Sequence, residues 1–223
     1  YSAAYRMITF PQGLGRWYFE AFFPSLSRLY RHDPERFSRF IIVSVRLTSL
    51  AILPLAIAGT FAAAPVVRLF YGPNYSGATL ALQILIWAIA VELVGLNFGY
   101  ALMACDREKA YLRAVSLAAI TSVLLNLLLI PRYGSQGAAF ARAGSECLLF
   151  GLFFFQIKRI VQIELVRSLT LPILGGGLML GCYALSGNWM VGSALGSGAY
   201  LVAVLVASDQ TRVEIRAFLK GTP

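Results

Sequence analysis

Seven ionisable side chains stand inside long apolar stretches of this chain: Arg6, Arg16, Glu20, Arg46, Glu92, Arg142 and Glu146. A charge in hydrocarbon is expensive, so such a group pairs, lines a wet cavity or meets a charged ligand. Helical spacing sorts them. Arg6, Gly13 and Glu20 recur every seventh residue and fall on one stripe. Arg16 precedes Glu20, and Arg142 precedes Glu146, by one helical turn, the spacing of a self-satisfied pair that holds helices together. Arg46 can snorkel toward the nearer membrane surface. Arg6 and Glu92 find no partner within their own helices. Axial rise puts Arg16, Glu92 and Glu146 near mid-depth, Arg6 and Arg142 in the outer half and Arg46 in the inner half. Taken together, these residues predict a hydrated cavity walled by the first, second, third and fifth apolar segments. Its four arginines outweigh its three glutamates, which suits an anion, and the guanidinium fork suits phosphate in particular.

The elements that must hold these charges are long apolar helices. Seven segments approach the roughly 20 residues needed to cross a bilayer: 4–26, 40–61, 78–103, 111–130, 136–157, 169–185 and 189–207. None alternates with period two, and helices satisfy their own backbone in lipid, so the expected class is all-α, a polytopic bundle of about seven transmembrane helices. The connectors alternate in charge. Arg28, Arg31, Arg36 and Arg39 lie in one, Arg107, Lys109 and Arg113 in another, Lys158, Arg159 and Arg167 in a third, and Arg212, Arg216 and Lys220 in the tail. The intervening connectors hold only Arg68 and Arg132. Cations stay on the cytoplasmic side, so the pattern predicts a multi-pass protein of a bacterial inner membrane with a cytoplasmic C-terminus.

The chain is 58% hydrophobic and 13% charged, with a net charge of +9. That charge is spread over loops and forms no continuous basic surface, so no nucleic acid is expected as a partner. Cys105, Cys147 and Cys182 share no metal-ligand spacing and read as packing residues. His32 sits in a charged loop. No catalytic residue, metal site or cofactor is expected, and the chain is read as a non-enzyme. Pro11, Gly13 and Gly15 interrupt the first segment and form its expected hinge, either a static kink or a moving bend. Gly175, Gly176 and Gly177 lack a following Lys-Ser/Thr, so close helix packing or a flexible point is expected, not a phosphate loop. Residues 62–70 are expected as a short interfacial helix before the Tyr71-Gly72-Pro73-Asn74 turn. Arg212, Arg216 and Lys220 fit either a basic helix on the anionic inner leaflet or a solvated tail. The chain starts at Tyr1 with no leader-like segment and reads as the C-terminal part of a longer protein.

Three stretches carry a family resemblance. Tyr5-Arg6-Met7-Ile8-Thr9-Phe10-Pro11-Gln12-Gly13, running on to Phe23-Pro24-Ser25-Leu26-Ser27-Arg28, resembles the eighth helix of lipid-linked sugar flippases. Asn126-Leu127-Leu128-Leu129-Ile130-Pro131-Arg132-Tyr133-Gly134-Ser135-Gln136-Gly137-Ala138-Ala139 is similar to a signature of polysaccharide and O-antigen flippases. Leu69-Phe70-Tyr71-Gly72 with Tyr75 resembles their outer-loop element. These belong to the multidrug/oligosaccharidyl-lipid/polysaccharide exporter superfamily. The resemblance implies two helical lobes around a central cavity, working by alternating access. This chain would be the C-terminal lobe, with the N-terminal lobe missing. Residues 1–160 would be the five-helix lobe core, 161–208 two peripheral helices and 209–223 a basic cytoplasmic tail.

The resemblance also implies a function, the export of an undecaprenyl-pyrophosphate-linked oligosaccharide for cell-surface polysaccharide, O-antigen or lipopolysaccharide synthesis. Partners would be that lipid-linked oligosaccharide, membrane lipids, and a polysaccharide polymerase or export machinery. Arg6 stands where lipid II flippases place a cavity arginine, and Pro11 and Gly13 match the accompanying bend. The family's helix usually carries small or apolar residues where Arg16 and Glu20 stand, which favours a glycan other than lipid II. Two other functions fit the segment pattern. A cation-coupled multidrug exporter of the same superfamily would favour unpaired acids, such as Glu92. A membrane-embedded glycan polymerase would need a catalytic carboxylate in a sizeable outer loop, and these outer loops are short and lack Asp and Glu.

Overall fold

The computed structural model describes residues 23–72, 75, 77–161, 165–186 and 189–206, and these are almost entirely helical. Helix α1 covers residues 23–32. Asp33 then caps helix α2 (Pro34–Tyr71): its carboxylate accepts from the Arg36 amide at 3.0 Å. Pro34 follows in the first turn, where its missing amide costs nothing. Helix α2 runs unbroken for 38 residues, about 57 Å at 1.5 Å per residue. The separate interfacial helix expected at 62–70 is therefore the C-terminal end of α2. Pro65 does not break it, because a proline removes one hydrogen bond, and apolar packing of Ala63 and Val67 against α3 (Ala78–Ala104) holds the segment in place.

Helix α4 (Glu108–Lys158) is a hairpin of two antiparallel arms. It reverses at Gly134, whose φ of 55° and ψ of −128° lie outside helical space. Four cross-contacts record the reversal. Gln156 Nε2 donates to the Ala110 carbonyl at 3.4 Å, and Tyr111 stacks on Phe153 at 5.2 Å. Leu125 lies against Gly144, and a Cβ on Gly137 would stand only 2.3 Å from the Leu129 carbonyl oxygen. The two arms are the fourth and fifth apolar segments, and the signature around Pro131, Gly134 and Gly137 is the turn between them.

Helices α5 (Leu165–Ser186) and α6 (Trp189–Val206) pack on each other and on α2, while α3 packs on α4 and on another face of α2. The glycine run in α5 is a packing surface. The Tyr200 ring of α6 approaches within 2.8 Å of where a Cβ on Gly175 would lie, and Leu53 and Ile57 of α2 press on Gly176. Four described helices are long and apolar enough to cross a membrane: Pro34–Tyr71, Ala78–Ala104, Glu108–Lys158 and Leu169–Ser186. Helix α4 doubles back, so it consists of two antiparallel arms. The apolar part of α6, Val191–Val202, is shorter. The segment at 4–26 lies almost wholly outside the described residues, as does the tail.

Three basic connectors lie at one end of the bundle. Arg31 reaches Asp106 at 3.9 Å, joining the α1–α2 and α3–α4 turns, and the Gln156 bond to Ala110 brings the end of α4 beside its start. An apolar cluster including Phe37, Ile41, Phe98, Leu102, Phe153 and Ile157 fills that end.

Candidate functional site

Helix α3 is apolar along nearly its whole length, and two of its polar residues, Glu92 and Asn97, are used in different directions. Glu92 faces the second arm of α4. Its Oε2 accepts from Arg142 Nη2 at 2.8 Å, and the same nitrogen lies 3.4 Å from Glu146 Oε1. All three side chains are largely buried, Arg142 at 22% exposure, Glu92 at 11% and Glu146 at 16%. One guanidinium thus serves two carboxylates from two helices. The expectation that Glu92 lacks a partner is overturned: its partner comes from another helix, which spacing within one helix cannot reveal. Ser145 sits beside the pair and donates to the Arg142 carbonyl at 2.9 Å.

Asn97 faces α2. Its Oδ1 accepts from Ser44 Oγ at 2.5 Å, and its Nδ2 donates to the Val94 carbonyl at 3.0 Å, the Leu93 carbonyl at 3.3 Å and Thr48 Oγ1 at 3.4 Å. Ser44 and Asn97 are both buried. A buried amide left without partners costs about 1–3 kcal/mol, so this saturated network fixes the register of α2 on α3. Sequence reasoning passed over Ser44, Thr48 and Asn97. The signal was available: Ser44 and Thr48 are one helical turn apart in an apolar segment, and Asn97 interrupts another.

Arg46 projects from α2 at the same level, is partly buried and is engaged in an interaction. Arg6, Pro11, Gly13, Gly15, Arg16 and Glu20 lie outside the described residues, so the first wall of the expected cavity does too. What the described residues enclose is a different space, an apolar groove of about 310 Å³ between α2 and α3, lined by residues such as Ile52, Gly59, Ala63 and Ile86. Among the described residues, no cluster of three or more His, Cys, Asp or Glu is placed to hold a metal ion.

The arrangement amounts to a polar ladder up the inside of an apolar bundle. It ties α3 to α4 through charge and α3 to α2 through an amide. Nearer the other end, at a more exposed position, Thr60 accepts from Trp87 Nε1 at 3.1 Å through its hydroxyl and from Gln83 Nε2 at 2.9 Å through its carbonyl.

Comparison with known proteins agrees with this architecture. A solved structure described as lipid II flippase MurJ in an inward closed conformation superposes with a TM-score of 0.76 at 15% identity, covering 90% of this chain and 45% of that one. The uncharacterized membrane protein YabM of Bacillus subtilis is 32% identical over 97 residues, 42% of this chain and 18% of its own length. The uncharacterized membrane protein MJ1068 of Methanocaldococcus jannaschii is 28% identical over 142 residues, 62% of this chain and 26% of its own length. The chain thus spans less than half the length of the proteins it matches. The family model described as lipid II flippase MurJ matches residues 1–208, a range that includes every described helix, and this multi-pass membrane chain belongs to that family.

Proposed function

We propose that the protein moves an undecaprenyl-pyrophosphate-linked glycan from the inner to the outer leaflet by alternating access, with this chain as the C-terminal of two lobes. The observation that carries the reading is the family match over residues 1–208, which includes the Arg6, Pro11 and Gly13 stretch as well as the described bundle. The ion pairs sharpen the assignment of roles. Arg142 is committed to Glu92 and Glu146, so its charge serves helix packing first. Arg6 and Arg16 of the first segment are then the groups proposed to meet the pyrophosphate, and Arg46, itself engaged, would line the path. Glu20, Glu92, Arg142 and Glu146 would shape the path, and Pro11, Gly13 and Gly15 would provide its bend. Arginine forks bind phosphate oxygens through several hydrogen bonds, and no covalent chemistry is required.

Within this class the proposed cargo is an oligosaccharide for cell-surface polysaccharide, because Arg16 and Glu20 depart from the pattern of lipid II flippases. The family match favours lipid II as the second reading. Residues 1–160 would form the lobe core, with 161–208 peripheral and 209–223 a cytoplasmic tail at the inner membrane. A drug exporter is disfavoured because Glu92, the acid it would use, is bonded to Arg142.

The intact protein should be expressed in two strains, one lacking its O-antigen flippase and one depleted of its lipid II flippase. Restored surface polysaccharide supports the oligosaccharide reading. Restored growth of the depleted strain assigns lipid II instead, and rescue of neither removes the flippase reading. In the rescued strain, Arg6→Ala should abolish transport at normal protein levels and Arg6→Lys should retain part of it. Full activity of Arg6→Ala would take Arg6 out of the path.

A further inference from the structure

Pro54 lies in the middle of α2. It has no amide hydrogen, so the carbonyl four residues earlier, at Leu50, loses its helical donor. In an apolar bundle such an acceptor must be satisfied from elsewhere. The Tyr200 hydroxyl of α6 donates to the Leu50 carbonyl at 3.0 Å, and Tyr200 is 3% exposed. The contact is sequence-distant and specific: an outer helix supplies the hydrogen bond that a proline removes from an inner one.

The surroundings bring the tyrosine to that carbonyl. Gly175 of α5 leaves room for the Tyr200 ring. Gly176 lets α5 settle on Leu53 and Ile57, on either side of Pro54 in sequence. Farther along α2, Phe61 stacks on Tyr183 of α5 with ring centroids 3.9 Å apart, and the Tyr183 hydroxyl is 2.5 Å from Ser193 Oγ of α6. The α5–α6 pair therefore grips α2 at Leu50 before the proline and at Ile57 and Phe61 after it.

We infer that Tyr200 is a positioning residue, and that α5–α6 is a splint that sets how far α2 bends across Pro54. The part of α2 with Ser44, Arg46 and Thr48 lies on one side of Pro54, and the more apolar part toward Tyr71 lies on the other. The angle between them decides where Arg46 stands relative to the part toward Tyr71. The inference concerns helix geometry and holds whichever lipid is carried.

A double-mutant cycle tests it in the intact protein in lipid nanodiscs without substrate. Spin labels at Arg39 and Leu69, both exposed and on opposite sides of Pro54, report the bend by pulsed electron resonance in a cysteine-free background. Tyr200→Phe should broaden and shift the distance distribution, since an unsatisfied carbonyl shifts the balance between bent and relaxed helix by about tenfold. Pro54→Ala restores the amide to Leu50, so adding Tyr200→Phe to it should change nothing further. Unlabelled proteins with the native cysteines provide the second measurement: the thermal midpoint should fall with Tyr200→Phe alone and stay put when it is added to Pro54→Ala. The inference is overturned if Tyr200→Phe leaves the distribution unchanged, or if its effect is as large in the Pro54→Ala background.

Discussion

Arg142 on the second arm of α4 and Glu92 in the middle of α3 meet at 2.8 Å, although 50 residues separate them in the chain. Both lie in segments long and apolar enough to cross a membrane. Breaking a buried pair leaves one charge without compensation, which costs about 3–5 kcal/mol. Arg142→Ala and Glu92→Ala should therefore sharply lower the thermal midpoint of the purified protein. Glu146→Gln should cost less, because its contact is longer, at 3.4 Å, and lies within one helix. Exchanging the two charges, Glu92→Arg with Arg142→Glu, should recover part of the loss. Equal midpoints for Glu92→Ala and the unaltered protein would show that the pair holds nothing together.

The reversal in α4 makes a second demand. Gly137 sits against the Leu129 carbonyl, where a Cβ would stand 2.3 Å from oxygen, and backbone cannot yield as a flexible side chain can. Gly134 has a positive φ that L side chains rarely adopt. Gly137→Ala should abolish stable expression. Gly134→Ala should weaken the fold by about 1–2 kcal/mol and leave a protein that still purifies. Gly198 has open space where a Cβ would go, so Gly198→Ala is the control and should be silent. Fluorescence-detected size exclusion across a temperature series ranks the three.

The parts of this molecule visible in its sequence are those set by local physics. Apolar length gave the helices, and the break between the segments 111–130 and 136–157 marked a turn between two of them. The Arg142 and Glu146 pair was visible because a single helix dictates it. Contacts between helices were not visible. Glu92 looked unpaired because its partner is on another helix, and the link from Tyr200 to Leu50 spans 150 residues. Residues 62–70 looked like a separate element because the second apolar segment was read as ending at residue 61, and the packing of Ala63 and Val67 that carries α2 onward is a contact between helices.

Cys105 offers a test of burial at the basic end. It is 3% exposed in the turn after α3, and burial pushes its thiol up to about 11, against the opposing pull of the nearby Arg107. The reactive form is the thiolate, which becomes abundant only as pH rises through that value. At pH 8 a free thiol near 8.5 is partly ionised, so Cys105 should react with maleimide at least about a hundredfold more slowly than a cysteine placed at exposed His32. The gap should narrow as pH is raised. Equal rates at pH 8 would mean that the turn is open to solvent.

The basic connectors predict sidedness. The contacts of Arg31 with Asp106 and of Gln156 with Ala110 place three of them at one end of the bundle, whereas Arg132 lies at the α4 turn, an arm's length away. About 20 residues of helix separate the Ala110 and Arg132 levels, enough to span the hydrocarbon at 1.5 Å each. Cations are retained in the cytoplasm, so the end carrying Arg107, Lys109 and Arg159 is proposed to face inward. Single cysteines at Lys109, Arg159 and Arg132, in a background lacking the native thiols, test this with an impermeant maleimide applied to intact cells. The thiol at Arg132 should label from outside, while those at Lys109 and Arg159 should label only after the membrane is opened. The reverse pattern would invert the topology and leave the hairpin intact. Labelling of all three from one side would show that α4 does not cross and return, and would remove the two-pass reading of that helix.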